Sequence, residues 1–334
     1  MSLKALAREL GLSVTTVSRA LNGYDDVAPA TKQRVDAAAQ RMGYRPNTLA
    51  RRLKMGKIDA VGLLFPFEPR PLNNSAFIEM VGSISHELAR QEIDLLLVAE
   101  EQEPAGIARL IESKRVDALL VAHTQPDDPR LQVLQQIGFP FLALGRSRLT
   151  QPYAWFDFDN HAGTLLAVNH LVALGHQRIA YLGETSPQTF VGQRRQGFLD
   201  GMQRHGLPLP PAYLGRILPT RRAGYQATRA LLALPQPPTA LITDNNMHGE
   251  GAVMALHEAG LLESGQVSLV IYDGLPPDSL IDLPITAVTQ ATREAVGRQI
   301  AEMTLALIRG EPVSSLQVLW QPALQPGISS HPLR

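Results

Sequence analysis

The stretch LSVTTVSRALNG, residues 12–23, gathers side chains suited to reading another molecule. On a helix turning about 100° per residue, Val17, Ala20 and Leu21 share one arc. Thr15, Ser18, Arg19 and Asn22 take the opposite side, with Val14 at its edge. A merely solvated helix face usually carries long, hydrated Lys, Glu and Gln. Small residues around one Arg instead allow close approach to a surface, as a helix in the major groove requires. There Arg19 pairs with a guanine edge, Val14 and Thr15 meet base edges or thymine methyls, and Ser13, Thr16 and Asn22 hold phosphates. For Val14 the competing reading is core packing.

Catalytic chemistry has weaker support. GEGAVM, Gly249 to Met254, follows a strand-like run but lacks the third glycine of a dinucleotide loop. No G-x-S-x-G or P-loop occurs, and the nine His show no H-E-x-x-H spacing. With no cysteine, disulfides and thiolate metal sites are excluded. Neither an enzyme nor a bound cofactor is expected.

Several elements must position the reading face. Leu3, Leu6, Ala7 and Leu10 recur at helical spacing, Gly11 stops that helix, and Ser13 caps the next. Two helices around a three-residue turn with Gly form a helix-turn-helix pattern. A third helix is predicted from Pro29, with Val35, Ala39 and Met42 inward and Gly43 as its stop. TLARRLKMG, between Pro46 and Gly56, reads as a hinge too short to fold alone. Residues 1–57 hold eleven Lys and Arg against four Asp and Glu, a net +7, and the remainder is −7. A basic head on an acidic body points to a polyanionic partner.

From Ala60 the rhythm changes. AVGLLF, DLLLVA, DALLVA, FLALG, RIAYLG, TALITD, VSLVIYD and ITAVTQ are short apolar runs separated by helical or turn-rich stretches. Continuous apolar strands alternating with helices imply parallel sheets covered on both faces. Their number suggests two Rossmann-like lobes, with a break near Trp155 to Asn160 and a ligand cleft at the strand ends. The first twenty residues show no signal-peptide pattern, and no apolar run approaches the roughly 18 residues of a membrane span. A cytoplasmic protein without membrane contact is expected.

LKALARELGLSVTTVSRALNG followed by VAPATKQRVDAAAQRMGYRPNTLARRL resembles the DNA-binding head and hinge of the lactose-repressor (LacI/GalR) family of bacterial transcription regulators. FDFDNHAGTLLAVNHLVALGHQRIAYLG, RRQGF, TALITDNN, VSLVIYD and ITAVTQ resemble, in order, that family's effector-binding core. The resemblance implies an all-α helix-turn-helix head over residues 1–45 and a hinge helix over 46–58. An α/β two-lobe, periplasmic-binding-protein-like effector and dimerisation core would fill 59–330. Its N-lobe would take 59–158 and 291–317 and its C-lobe 159–290 and 318–330, joined by three crossovers. Asn47, Ala50 and Leu53 would belong to a hinge helix that forms on DNA, with Leu53 of each of two chains wedged into the minor groove. The implied partners are a pseudo-palindromic operator, a small sugar effector and a second copy of the chain. The leucine-heptad tail by which some relatives become tetramers is missing, so a homodimer is expected.

Within the core, the resemblance assigns effector binding to the Arg194 guanidinium, the Asn245 amide and the Asp273 carboxylate, although a carboxylate after a strand can instead cap the next helix. Phe158 sits where the family places a stacking aromatic, and Trp155 is a second candidate. Phe65 and Phe77 are expected to line the other lobe; Arg146 either reaches the ligand or lies on the surface. Gln290 reads as structural. Departures are Asn245-Asn246 where the family usually has Asn-Asp, with Asp244 available to take over a contact, and Gly145 where some relatives are acidic. AWFDFDNHAG, PTRRAGY, ITDN and YDGLPPDS are most similar to raffinose-operon repressors, which respond to α-galactosides such as melibiose. The expected function is repression relieved by such a sugar. The alternatives are the same repressor class answering to another sugar or a nucleobase, and a sugar-binding protein without a DNA function.

Overall fold

The computed structural model describes residues 2–21, 24–44, 58–66, 75–100, 104–276 and 278–333. The chain divides into two compact units, Met1–Ile58 and Asp59–Arg334. Asn22, Asn47, Ala50 and Leu53 lie outside the described residues.

In the first unit α1 (Leu3–Leu10), α2 (Val14–Leu21) and α3 (Pro29–Arg41) close around Leu6, Val17, Val35 and Ala38. Each terminus has a chemical cause. Gly11 returns its amide to the Ala7 and Arg8 carbonyls at the end of α1. Ser13 Oγ accepts the Thr16 amide at 3.0 Å and starts α2. Pro29 opens α3.

The second unit begins β1 (Ala60–Pro66), α4 (Ser75–Ala89), β2 (Asp94–Glu100), α5 (Pro104–Glu112), β3 (Ala118–Val121), α6 (Pro129–Ile137), β4 (Phe141–Leu144) and β5 (Ala154–Phe158). It continues with α7 (Asn160–Ala173), β6 (Ile179–Glu184), α8 (Thr189–Arg204), β7 (Leu214–Ile217), α9 (Arg221–Leu232), β8 (Ala240–Thr243), α10 (Asn246–Glu258) and β9 (Ser268–Tyr272). β10 (Ala287–Thr289), α11 (Arg293–Ile308), β11 (Gln317–Trp320) and β12 (Ala323–Gln325) complete it. One sheet runs β11-β5-β4-β3-β1-β2 and the other β12-β10-β9-β8-β6-β7. All pairings are parallel except that of β12 with β10. Apart from β11 and β12, each sheet has a doubly wound order, which places a crevice at the carboxyl strand ends where the order reverses.

Side-chain alternation builds both cores. In the second sheet Ala180, Leu182, Leu241 and Ile271 face α9 and α10, packing on Leu231 and Leu256. Ile179, Tyr181, Ile242 and Tyr272 face α7 and α8, packing on Leu171 and Phe198. Strands covered on both faces need no polar alternation, which is why they read as continuous apolar runs. In the first sheet Val61, Leu63, Leu120 and Leu142 pack on Ile84 and Leu88 of α4 and on Val296 and Ile300 of α11.

The chain crosses between the sheets three times: after Phe158, between Thr289 and Arg293, and between Trp320 and Ala323. The last crossing corrects the expected lobe boundary at 317/318. All of β11 belongs to the first sheet, pairing Val318 with Phe156 and Trp320 with Phe158. The reason lies in its side chains: Trp320 meets the rings of Phe156 and Phe158 edge-on at 5.1 and 6.2 Å between centroids. Among the described residues no helix is long and apolar enough to cross a membrane.

Candidate functional site

In the head, Val17 and Ala20 are buried while Val14, Thr15 and Arg19 are exposed and Ser18 is half-buried. Val14 is 40% exposed, which removes core packing as its role. Val14, Thr15, Ser18 and Arg19 line one shallow groove with Leu3 and Tyr24. Ser13 and Thr16 stand at the start of α2, their hydroxyls 2.8 Å apart. The side chains assigned to reading are thus gathered on one surface beside a helix N-terminus, where phosphate is favoured.

In the core, a cavity opens at the carboxyl ends of both sheets. Arg194, on α8, lines it and is 5% exposed. Its Nε donates to Asn160 Oδ1 at 2.9 Å, Nη1 to the Asp244 carbonyl, and Nη2 to Asp273 Oδ2 at 3.3 Å. The guanidinium lies over the Tyr272 ring, 3.5 Å from its centroid, with Phe190 at 4.9 Å. Burial works against its charge, but the attraction of Asp273 and its other neighbours outweighs this and holds its pKa above the ordinary arginine value. Burial also pushes the Tyr272 hydroxyl up to about 12, so this tyrosine stays neutral.

Asp273 follows β9 in a left-handed conformation, φ 68°, rare for a residue with a side chain and frequent at functional sites. Its Oδ1 is buried and accepts no hydrogen bond from the described residues. An unfilled carboxylate oxygen beside a pinned guanidinium suits a hydroxyl-rich neutral ligand, whose hydroxyls donate to the first and accept from the second. Asp273 therefore spends nothing on helix capping. Asn245 does: as N-cap of α10 its Oδ1 accepts the His248 amide at 2.9 Å, while its Nδ2 reaches Asp244 at 2.8 Å. It still lines the cavity.

Five expected effector residues, Phe77, Phe158, Arg194, Asn245 and Asp273, line this cavity, whereas Phe65, Arg146 and Trp155 do not. Phe65 is 4% exposed within the first-sheet core, because β1 alternates it inward; its ring backs Phe77 at 6.2 Å. Trp155 is the second residue of β5 and lies under the Arg146 guanidinium, 5.6 Å away. Arg146 is held off the cavity by Asp157, to which its Nε donates at 2.8 Å. Asp244 is 1% exposed and serves the Glu184 amide and His248 rather than the cavity.

Other lining residues escaped the sequence reading. Asp157 lines the wall; burial pushes its carboxyl up, and Arg146 pulls it partly back. Phe190 stands one helical turn before Arg194 on the same face, a spacing that could have exposed it. His123 and Thr124 lie two and three residues past the end of β3, the usual place for ligand-facing groups. Gln290, read as structural, also lines the cavity. Gly145 explains one departure from the family: at φ 113°, a Cβ there would lie 2.3 Å from Thr124 Oγ1, so an acidic side chain does not fit. The lobes touch across the cavity where Gln188 Nε2 meets His123 Nδ1 at 2.7 Å and Thr189 donates its amide to the Thr124 carbonyl at 2.9 Å.

A two-lobed core with a hydroxyl-suited cavity, carried with a helix-turn-helix head, defines a ligand-responsive DNA-binding regulator. Residues 2–47 match the model of bacterial regulatory proteins of the lacI family. Residues 59–321 match that of periplasmic binding proteins and the sugar binding domain of the LacI family. The chain belongs to the LacI family. It is 54% identical over 334 residues, 99% of each chain, to the HTH-type transcriptional regulator RafR of Escherichia coli. A transcriptional-regulator crystal structure from Yersinia pestis biovar Microtus str. 91001 is 51% identical at TM-score 0.80, covering 83% of this chain and 100% of that one. The Lac repressor dimer bound to operator and the anti-inducer ONPF shares the fold at TM-score 0.85 and 24% identity, covering 99% of each chain. The protein is a transcriptional regulator with a DNA-binding head and a sugar-binding core.

Proposed function

We propose that this protein is a cytoplasmic, dimeric repressor that releases a pseudo-palindromic operator when an α-galactoside of the melibiose or raffinose type enters the cavity. It works by binding, without a catalytic step. The observation that supports the sugar site best is the Arg194–Asp273 pair lining the cavity, with an Asp273 Oδ1 that has no partner among the described residues. Phe158 and Phe77, both lining the cavity, offer apolar faces to the ring carbons of a sugar. Support for the α-galactoside class comes from the motif resemblance to raffinose-operon repressors and from the 54% identity to RafR. On the DNA, Arg19 and Thr15 read bases, Val14 meets a thymine methyl, and Ser13, Thr16 and Ser18 hold the backbone. The assignments of Asn22, Asn47, Ala50 and Leu53 to DNA contact belong to the same reading. Domain limits of 1–45, 46–58 and 59–330 follow from it, with the lobe boundary moved beyond Trp320.

Calorimetric titration of the purified protein with melibiose, raffinose, lactose and cellobiose tests the sugar assignment. Binding of the first two and not the last two is expected. Binding of lactose or cellobiose alone contradicts it.

A further inference from the structure

We propose that Asp26 is a positioning residue for base readout, holding Arg19 so that the open edge of its guanidinium faces the base it reads. This rests on the reading of α2 as the recognition helix. Asp26 lies in the loop between α2 and α3, seven residues after Arg19. Arg19 Nε donates to Asp26 Oδ1 at 3.1 Å, and Nη2 pairs with Asp26 Oδ2. The guanidinium also lies over the Tyr24 ring, 5.1 Å from its centroid.

The geometry of that pair decides what it does. A side-on pair uses Nε and one hydrogen of Nη2, leaving Nη1 and the second Nη2 hydrogen as an intact fork. That outer fork matches O6 and N7 of guanine. The carboxylate beside and the ring beneath fix a side chain that otherwise loses rotamer freedom on binding. Arg19 and Asp26 are 45% and 52% exposed, so the ion pair contributes little to fold stability. Its effect is orientation. Tyr24, as the third member, keeps the guanidinium plane from rolling about the Nε bond.

A carboxylate this close to DNA also repels phosphate, so removing it raises affinity for any duplex. The neighbouring Asp25 carries the same charge, is exposed, and makes no contact with Arg19 among the described residues. It therefore separates charge from positioning.

The experiment selects binding sites from a randomised duplex pool with full-length wild type, Asp25→Asn, Asp26→Asn, Asp26→Ala and Arg19→Ala, followed by affinities for the wild-type site and its single-base substitutions. Asp26→Asn and Asp26→Ala should reduce discrimination at the one base pair read by Arg19 by about threefold or more, from the roughly 5- to 150-fold a bidentate pair gives. Preference elsewhere in the site should be unchanged. Asp25→Asn should raise affinity for all duplexes and leave preference intact. In an Arg19→Ala background, adding Asp26→Asn should change nothing further at that base pair. The proposal is overturned if Asp26→Asn and Asp25→Asn behave alike, or if Asp26→Asn still alters preference without Arg19. If Arg19→Ala itself leaves every base preference in place, the recognition-helix reading fails instead. An unchanged thermal unfolding transition of the head, the unit that carries the substitutions, verifies that each variant is folded.

Discussion

At the scale of single residues, two side chains with similar chemistry divide the work. Arg19 is exposed, beside a groove open to solvent, and Arg194 is buried between Asn160 and Asp273. Arg19→Ala should cost about 1 to 3 kcal/mol in affinity for the preferred site and relax sequence preference. Fluorescence anisotropy on preferred and random duplexes checks this, and equal losses on both would remove Arg19 from base readout. Asp273→Ala should leave DNA affinity within experimental error of wild type and abolish the response to sugar, measured on the same duplex. Arg194 and Asp273 both line the cavity; the family motifs pointed to each, and for Asp273 the position directly after β9 pointed the same way. The sequence misplaced Phe65 and Trp155 because strand alternation, not residue type, decides which aromatic faces the cavity. Arg146 was ambiguous because its place depends on Asp157, a partner eleven residues away.

At the scale of elements, helix packing and buried imidazoles set the stability of the core. α7 and α8 approach so closely that a Cβ on Gly197 would lie 2.2 Å from the His161 carbonyl oxygen. Gly197→Ala should therefore destabilise the core by about 1 to 3 kcal/mol, read as a lower urea midpoint. After α7, His176 is 1% exposed. Its ring nitrogens lie 3.1 Å from Thr239 Oγ1 and 2.9 Å from Ser268 Oγ. Burial lowers its pKa, and that of His170. The unfolded chain then binds protons more readily than the folded one. Stability is complete above the unfolded value near 6.5 and is lost as pH falls from there towards the depressed folded values. His176→Gln should flatten the dependence of the unfolding midpoint between pH 7 and 5; an unaltered slope would exclude this cause. Most central strands were legible as apolar runs because both faces are covered. β7, β11 and β12, short and partly exposed, carry no such signal, and β11 moved the lobe boundary.

At the scale of the whole molecule, three crossovers join two lobes that share one cavity. The contacts Gln188–His123 and Thr189–Thr124 join the lobes across that cavity, so a ligand spanning it favours one lobe arrangement over another. The division into a basic head and an acidic two-lobed core was legible from charge and rhythm alone. The crossing of β11 was not, because it depends on ring contacts between residues more than 150 positions apart. A regulator of this kind must couple its cavity to its DNA-reading face. The most direct measurement of that coupling is affinity for the selected duplex, with and without saturating melibiose, for wild type and Asp273→Ala side by side. A coupling of about 1 to 3 kcal/mol weakens wild-type binding roughly 5- to 150-fold and leaves Asp273→Ala unmoved. Melibiose that tightens wild-type binding, or weakens both proteins equally, contradicts it.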